Sequence, residues 1–238
     1  MPRPFLTARW SHLLIVSFEV PEGLVHRVVP PALQLDRWQG RAHVSLVALG
    51  MDDVRVRGWR VPGLPAHPQV NFRTYVRHGN RPGVWFIRQL VPNRLIAAVA
   101  RWRYNEPFDA TPIECTAAQT EAEARVEYRI ARRWRVAAEI GPTAGRPVAA
   151  SAAAYFQERY LGYRVDRRGR LTVFRVEHPS WVGREVRRLE WDVDFAALYG
   201  AAWGVLNERR PVSAIYAEGS EVAVYSPNPV TDSTSTSP

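Results

Sequence analysis

At 238 residues the chain exceeds one average domain and falls short of two. Apolar residues make up 46% and aromatics 11%, ample for a core, which excludes intrinsic disorder for the body of the chain. The formal charge is +9, all 32 basic residues are arginine and lysine is absent. Schiff-base catalysis, P-loop phosphate binding and pyridoxal-phosphate attachment each need a primary amine, so all three are excluded.

No stretch approaches the roughly 20 uninterrupted apolar residues of a membrane span. The opening MPRPFLTARW lacks the long apolar core of a signal peptide, which leads us to expect a soluble, cytoplasmic protein. A single cysteine, Cys115, rules out an internal disulfide and a cysteine-rich metal site. The arginines are scattered from Arg3 to Arg210 rather than gathered in one run, so the charge reads as composition bias and no nucleic-acid partner is expected.

In chain order, Ser11 to Val20 is a β-branched-rich strand stopped by Pro21. Leu24, Val25, Val28 and Val29 have helical spacing, ended by Pro30-Pro31. Arg41 to Met51 is a second buried strand, and a Pro/Gly-rich loop follows from Gly58 to Pro68. VNFRTYVR and GVWFIRQL then form a hairpin about HGNRPG. In its first strand Val70, Phe72, Thr74 and Val76 share one face and Asn71, Arg73, Tyr75 and Arg77 the other; in its second, Val84, Phe86, Arg88 and Leu90 share a face. NRLIAAVARWRY reads as a helix.

From Glu121 apolar and charged residues alternate strictly through Ile130, and Trp134 to Ile140 returns as a second strand. Ala152 to Tyr163 has a helical pattern, GRLTVFRVEH is a strand, Phe195 to Asn207 a helix and IYAEGSEVAVYSP the last strand. There is no internal repeat and no long linker. The expectation is one α+β domain over 1–228, mostly antiparallel β and closed or nearly closed into a barrel with peripheral helices, followed by a disordered polar tail at 229–238.

None of the six histidines lies three to five residues from another, so no metal motif is present, and no GxSxG elbow or dinucleotide glycine pattern appears. No metal and no cofactor are expected. What stands out is polar residues within apolar strands, above all Arg73 and Arg88, since a buried guanidinium requires a partner. Glu106, Glu158 or Glu218 could neutralise it, pinning the strand register, or a ligand carboxylate or carbonyl could. With Tyr75, Tyr104, Tyr216 and Trp85 as hydroxyl donors and aromatic wall, the second alternative makes a small-molecule pocket.

QVNFRTYVRHGNRPGVWFIRQL with ARWRYNEPF, and AYFQERYLGYRVDRRGRLTVFRVEHPSW, resemble the blocks of the bacterial DUF2071 (YqjF-like) family, with agreement running from about Trp10 to Pro227. The resemblance implies an acetoacetate decarboxylase-like fold, a curved antiparallel sheet closed around a cavity, and a link to aromatic compounds. That decarboxylase works through a lysine Schiff base, which this chain cannot form. Gln69 stands where a family glutamate is expected.

Two functions follow. The first is a binding protein for an aromatic or keto-acid ligand, with Arg73, Tyr75, Arg88, Trp85 and Tyr216 around it. The alternative is a non-covalent acid/base enzyme, a cyclase, dehydratase or aldolase-like lyase, in which an arginine polarises a carbonyl and Glu218 or Glu106, with Tyr104, moves the proton. The partner in either case is a small molecule, with neither nucleic acid nor membrane involved and a homo-oligomer possible. A purely structural protein, by contrast, would have a filled barrel.

Overall fold

The computed structural model describes residues 3–61, 64–105, 107–119 and 124–231, and only the backbone of residues 99, 100, 102–104 and 119. In chain order it places β1 (Leu6–Val20), α1 (Glu22–His26), β2 (Gln34–Leu35), β3 (Ala42–Val56), β4 (Trp59–Arg60), β5 (His67–His78), β6 (Arg81–Val91), α2 (Arg94–Tyr104), β7 (Phe108–Ala110) and β8 (Ile113–Gln119). Then come β9 (Ala124–Ile130), β10 (Trp134–Gly145), α3 (Ala152–Gln157), β11 (Leu161–Val165), β12 (Leu171–Glu177), β13 (Gly183–Asp192), α4 (Phe195–Tyr199), a 3-10 turn (Ala201–Leu206), β14 (Ser213–Val224) and β15 (Asn228–Pro229).

The strands follow the order β12-β11-β6-β5-β3-β1-β14, and β14 meets β12 again through Val224↔Val176 and Ala223↔Glu177. The sheet therefore closes into a ring, antiparallel except where β11 runs parallel to β6. The other half of β14, at Tyr216 and Ala217, pairs with β13, from which β10, β9 and β8 continue as a second limb.

The central strands are buried on both faces, which is why they read as near-continuous apolar runs rather than half-buried alternations. Alternation sorts their side chains between two cores. Leu13 and Ile15 of β1 and Val47 and Leu49 of β3 point into the ring. Leu14, Val16, Phe18, Val44 and Leu46 point outward, against α1, α4, the 3-10 turn and the second limb. β5 obeys the same rule: Val70, Phe72 and Val76 join the outer core while Asn71 and Arg73 face the interior. Phe72, fully buried, stacks on Tyr199 at 4.4 Å and meets Trp203 edge-on at 4.9 Å.

Four details of the sequence reading change. Phe86 and Arg88 do not share a face, because a β-bulge between Phe72 and Arg73 pairs Phe72 with Arg88 but Arg73 with Phe86, leaving Ile87 as the extra residue. The helix expected over Ala152 to Tyr163 ends at Gln157; Leu161–Val165 turns back as β11, where the Phe174 ring covers Gly162 so closely that a Cβ would lie 2.2 Å from it. The helix over Phe195 to Asn207 breaks at Gly200 into α4 and the 3-10 turn. Residues 229 and 230, expected in the polar tail, are tied to the sheet: Asn228–Pro229 pair with β12 and Val230 N donates to Leu171 O. Residues 232–238 and the first residues of the Glu121 alternation lie outside the described residues. The sequence reading has no counterpart for β8, which carries a single charge, Glu114, or for the charge-rich β13. No described helix is long and apolar enough to cross a membrane.

Candidate functional site

The ring encloses a cavity of about 210 Å³. Its walls are apolar, from Leu13, Ile15, Val47 and Leu49 to Phe86, Phe108 and Phe174. Its floor is polar. On β5 and β6, Gln69 Nε2 donates to Asn71 Oδ1 at 2.6 Å and to Gln89 Oε1 at 3.2 Å, a buried amide cluster without charge. Among the described residues lining the cavity there is no carboxylate.

Two buried arginines reach the cavity, each 9% exposed, and they are treated differently. Arg159 is neutralised: its Nη1 donates to Asp36 Oδ2 at 2.6 Å, its Nε to Tyr155 O at 2.6 Å, and its guanidinium lies 4.1 Å from the Tyr155 ring centre. Arg73 is not. Its Nη2 donates to Phe156 O at 2.9 Å, while its buried Nε has no acceptor and no described carboxylate pairs with it. An uncompensated buried cation costs several kcal/mol in general.

Beside Arg73, α3 and the segment before β13 close one wall. Gln157 Nε2 donates to Trp181 O at 2.9 Å and to Glu158 Oε1 at 3.3 Å. Both partners accept only, which fixes the amide orientation and makes the buried, unpartnered atom the acceptor Oε1. Trp10, 5.9 Å from Trp181 between ring centres, carries an equally unpartnered buried Nε1–H.

His178 lies flat on Trp181 at 3.8 Å and stacks on Tyr160 at 4.6 Å. Its Nδ1–H donates to Pro179 O at 2.8 Å, so the neutral ring holds its lone pair on Nε2. Burial holds its pKa below the ordinary histidine value and the Arg73 charge adds to this, partly countered by the Pro179 bond and by Glu158. Glu158 itself accepts from Ser180 Oγ at 3.0 Å and from the Tyr160 hydroxyl, which burial and that carboxylate push up to about 12.

Of the residues singled out from sequence, Arg73 lines this cavity. Tyr75 is fully buried and outside the lining, its hydroxyl 2.6 Å from Ser45 Oγ and its ring centre 5.7 Å from the Arg73 guanidinium and 5.1 Å from that of Arg159. Arg88, redirected by the bulge, pairs with Asp109 at 3.3 Å and donates to Leu198 O. Trp85 packs on the outer core. Tyr216 is bonded to His12 Nδ1 at 2.9 Å, away from the cavity lining, and Glu218, 68% exposed, faces Arg184 at 3.5 Å. Tyr104 ends α2, its side chain outside the described set, and Glu106 lies outside the described residues. Gln157, His178, Trp10 and Trp181 were not singled out. Three of them sit in the FQERY and VEHPSW blocks that carried the family resemblance, the one signal that could have flagged them.

The sequence model of the DUF2071 family, described as an uncharacterized conserved protein, matches residues 7–221. Uncharacterized protein YqjF of Bacillus subtilis (strain 168) is 31% identical over 100 residues, a match spanning 42% of this chain and 41% of YqjF. Among solved structures, acetoacetate decarboxylase from Legionella pneumophila superposes with a TM-score of 0.63 at 14% identity, covering 98% of this chain and 90% of its own. The enduracididine biosynthesis enzyme MppR, complexed with pyruvate, gives 0.66 at 12% over 98% and 92%. An acetoacetate decarboxylase-like enzyme from Sphingomonas wittichii RW1 gives 0.64 at 12% over 94% and 92%. At these identities the likeness is one of fold. The chain therefore belongs to the DUF2071 family and has the acetoacetate decarboxylase-like fold.

Proposed function

We propose that the protein binds a small aromatic or keto-acid type molecule inside the ring, its carboxylate or carbonyl against Arg73 and its apolar body against Phe86, Phe108 and Phe174. The observation that carries this reading is Arg73 itself: a buried guanidinium with an unpartnered Nε, above a floor of neutral amides, in a cavity whose second buried arginine already has its carboxylate. Gln69, where the family resemblance implies a glutamate, adds no negative charge to that floor. MppR, of the same fold, holds pyruvate, which supports an acid of this kind. Schiff-base decarboxylation is outside this chain's chemistry because it has no lysine.

A second reading, a non-covalent proton-transfer lyase or cyclase, is favoured by His178, whose fixed tautomer directs a basic Nε2 away from Pro179 within the same lining. Binding comes first in either case. A thermal-shift screen of aryl carboxylates, keto acids and nitroaromatics tests it, with saturation at 100 times Kd adding about 2.7 kcal/mol. Hits that vanish in Arg73→Met support the reading; hits unchanged in that variant overturn it.

A further inference from the structure

A second concavity, a depression of about 410 Å³, abuts the cavity and shares Leu161, Phe174 and Tyr225 with its lining. It lies at the seam where the ring closes. Val224 pairs with Val176 and Asn228 with Val173, so between these points the C-terminal segment has one residue more than β12. In that bulge Pro227 lines the cavity, while Ser226 and Asn228 line the depression. Three arginines from separate segments meet there. Arg3 stands two residues before Phe5, whose N donates to Val224 O at 2.8 Å. Arg81 opens β6, the parallel neighbour of β11, and Arg175 lies opposite Leu161 of β11. All three are exposed and so within reach of a ligand from solvent. Arg175 is neutralised by Glu177, which also accepts from the Tyr225 hydroxyl, and its guanidinium lies 4.0 Å from the Tyr225 ring centre. Among the described residues no carboxylate lines the depression, and neither Arg3 nor Arg81 has an ion pair.

Resting on the binding reading above, we propose that this depression is a phosphate subsite: the ligand carries a phosphate group, held by Arg3 and Arg81, in addition to the apolar body inside the ring. Two uncompensated guanidiniums match a phosphate, which is close to doubly charged at neutral pH, better than a carboxylate with its single charge. Their planar forks suit its oxygens, several of which can accept at once. A concavity lined by one sign of charge also concentrates anions beside the cavity. The phosphate belongs either to the acid itself or to a carrier that bears the acid as a thioester, and its chemistry at the arginines is the same.

The test titrates two probe pairs into the full chain by calorimetry, each pair differing by the phosphate alone: para-phosphonooxybenzoate against para-hydroxybenzoate, and S-benzoylphosphopantetheine against S-benzoylpantetheine. In at least one pair the phosphorylated member is expected to bind at least fivefold more tightly, and the pair that shows it identifies the source of the phosphate. Arg3→Gln/Arg81→Gln is expected to abolish that advantage and leave the phosphate-free member unchanged. Arg27→Gln/Arg210→Gln, which removes the same charge from exposed positions outside the depression, is expected to retain it. Added salt shrinks the advantage, because exposed charges are screened. An advantage below fivefold in both pairs, one that survives Arg3→Gln/Arg81→Gln, or one that falls equally in the two double variants overturns the subsite. If the phosphate-free probes still lose binding in Arg73→Met, the reading of the cavity stands and only the subsite fails. Phosphorylated probes that bind Arg73→Met as tightly as the wild type keep the subsite and overturn the reading of the cavity. No binding by any probe at millimolar order overturns both.

Discussion

Arg73→Met separates a ligand-binding arginine from a structural one, because the two roles predict opposite signs for stability. Methionine keeps most of the volume and removes the charge. Relief of an uncancelled buried cation is worth several kcal/mol, as judged from buried ions in general. Against this, Phe156 O loses its donor, and a buried acceptor left bare costs about 1–3 kcal/mol. The balance is a net stabilisation of about 1–2 kcal/mol, or a rise in Tm of about 2–8 °C for a chain of this size. Arg159→Met supplies the contrast. It strands Asp36, whose side chain is 22% exposed, so we expect a loss near the lower end of the roughly 3–5 kcal/mol seen when a buried pair is broken. Urea unfolding followed by tryptophan fluorescence reads both variants on one scale. If Arg73→Met is destabilised as much as Arg159→Met, Arg73 is a structural strut and the argument from its uncancelled charge fails. Stabilisation with loss of ligand response is the pattern of a site maintained against stability.

Three further outcomes follow. Burial keeps the pKa of His178 and His43 below the ordinary value near 6.5. The unfolded chain then binds more protons in the window below that value, so stability falls as pH drops through it. The urea midpoint is expected to decline there and to decline less steeply in His178→Gln, and an unchanged slope in that variant would contradict the assignment. Gly219→Ala, at φ +95° with a Cβ only 1.9 Å from Trp10 O, forces main chain to move at the β1–β14 ladder. We expect a loss of about 3 kcal/mol or more, beyond ordinary overpacking; a Tm within 2–3 °C of wild type, about 1 kcal/mol at this size, would show that the ladder relaxes freely. Asn93 accepts from Leu95 N and Ile96 N at the start of α2, so Asn93→Ala is expected to cost about 1 kcal/mol by circular dichroism melting, and Asn93→Ser much less.

Strand alternation told the sequence reader which side chains of β5 share a face, because the pleat is a local property with a period of two. It did not tell which core each face meets, since both faces are buried along most of the strand. Arg88 shows how one residue decides this: the bulge at Ile87 lies in the pairing between β5 and β6, not in either strand's own pattern, and it turns Arg88 out to Asp109. Glu218 and Tyr216 likewise read as interior from their apolar neighbours, yet β14 divides its pairing between β12 and β13 at that point, and Glu218 faces Arg184 on the second limb.

Composition alone determined that no lysine chemistry operates here, since a missing residue type needs no fold to exclude it. Family blocks and strand patterns were enough to anticipate the closed antiparallel sheet and a guanidinium inside it. Only the tertiary structure decided that Arg159 has a carboxylate and Arg73 has none among the described residues, and that Gln157, Trp10 and His178 line the same cavity. Those partners lie 83 residues apart for Arg73 and Phe156 and 123 for Arg159 and Asp36. Charge compensation is a matter of distance through space, and chain order carries no record of it until the ring closes.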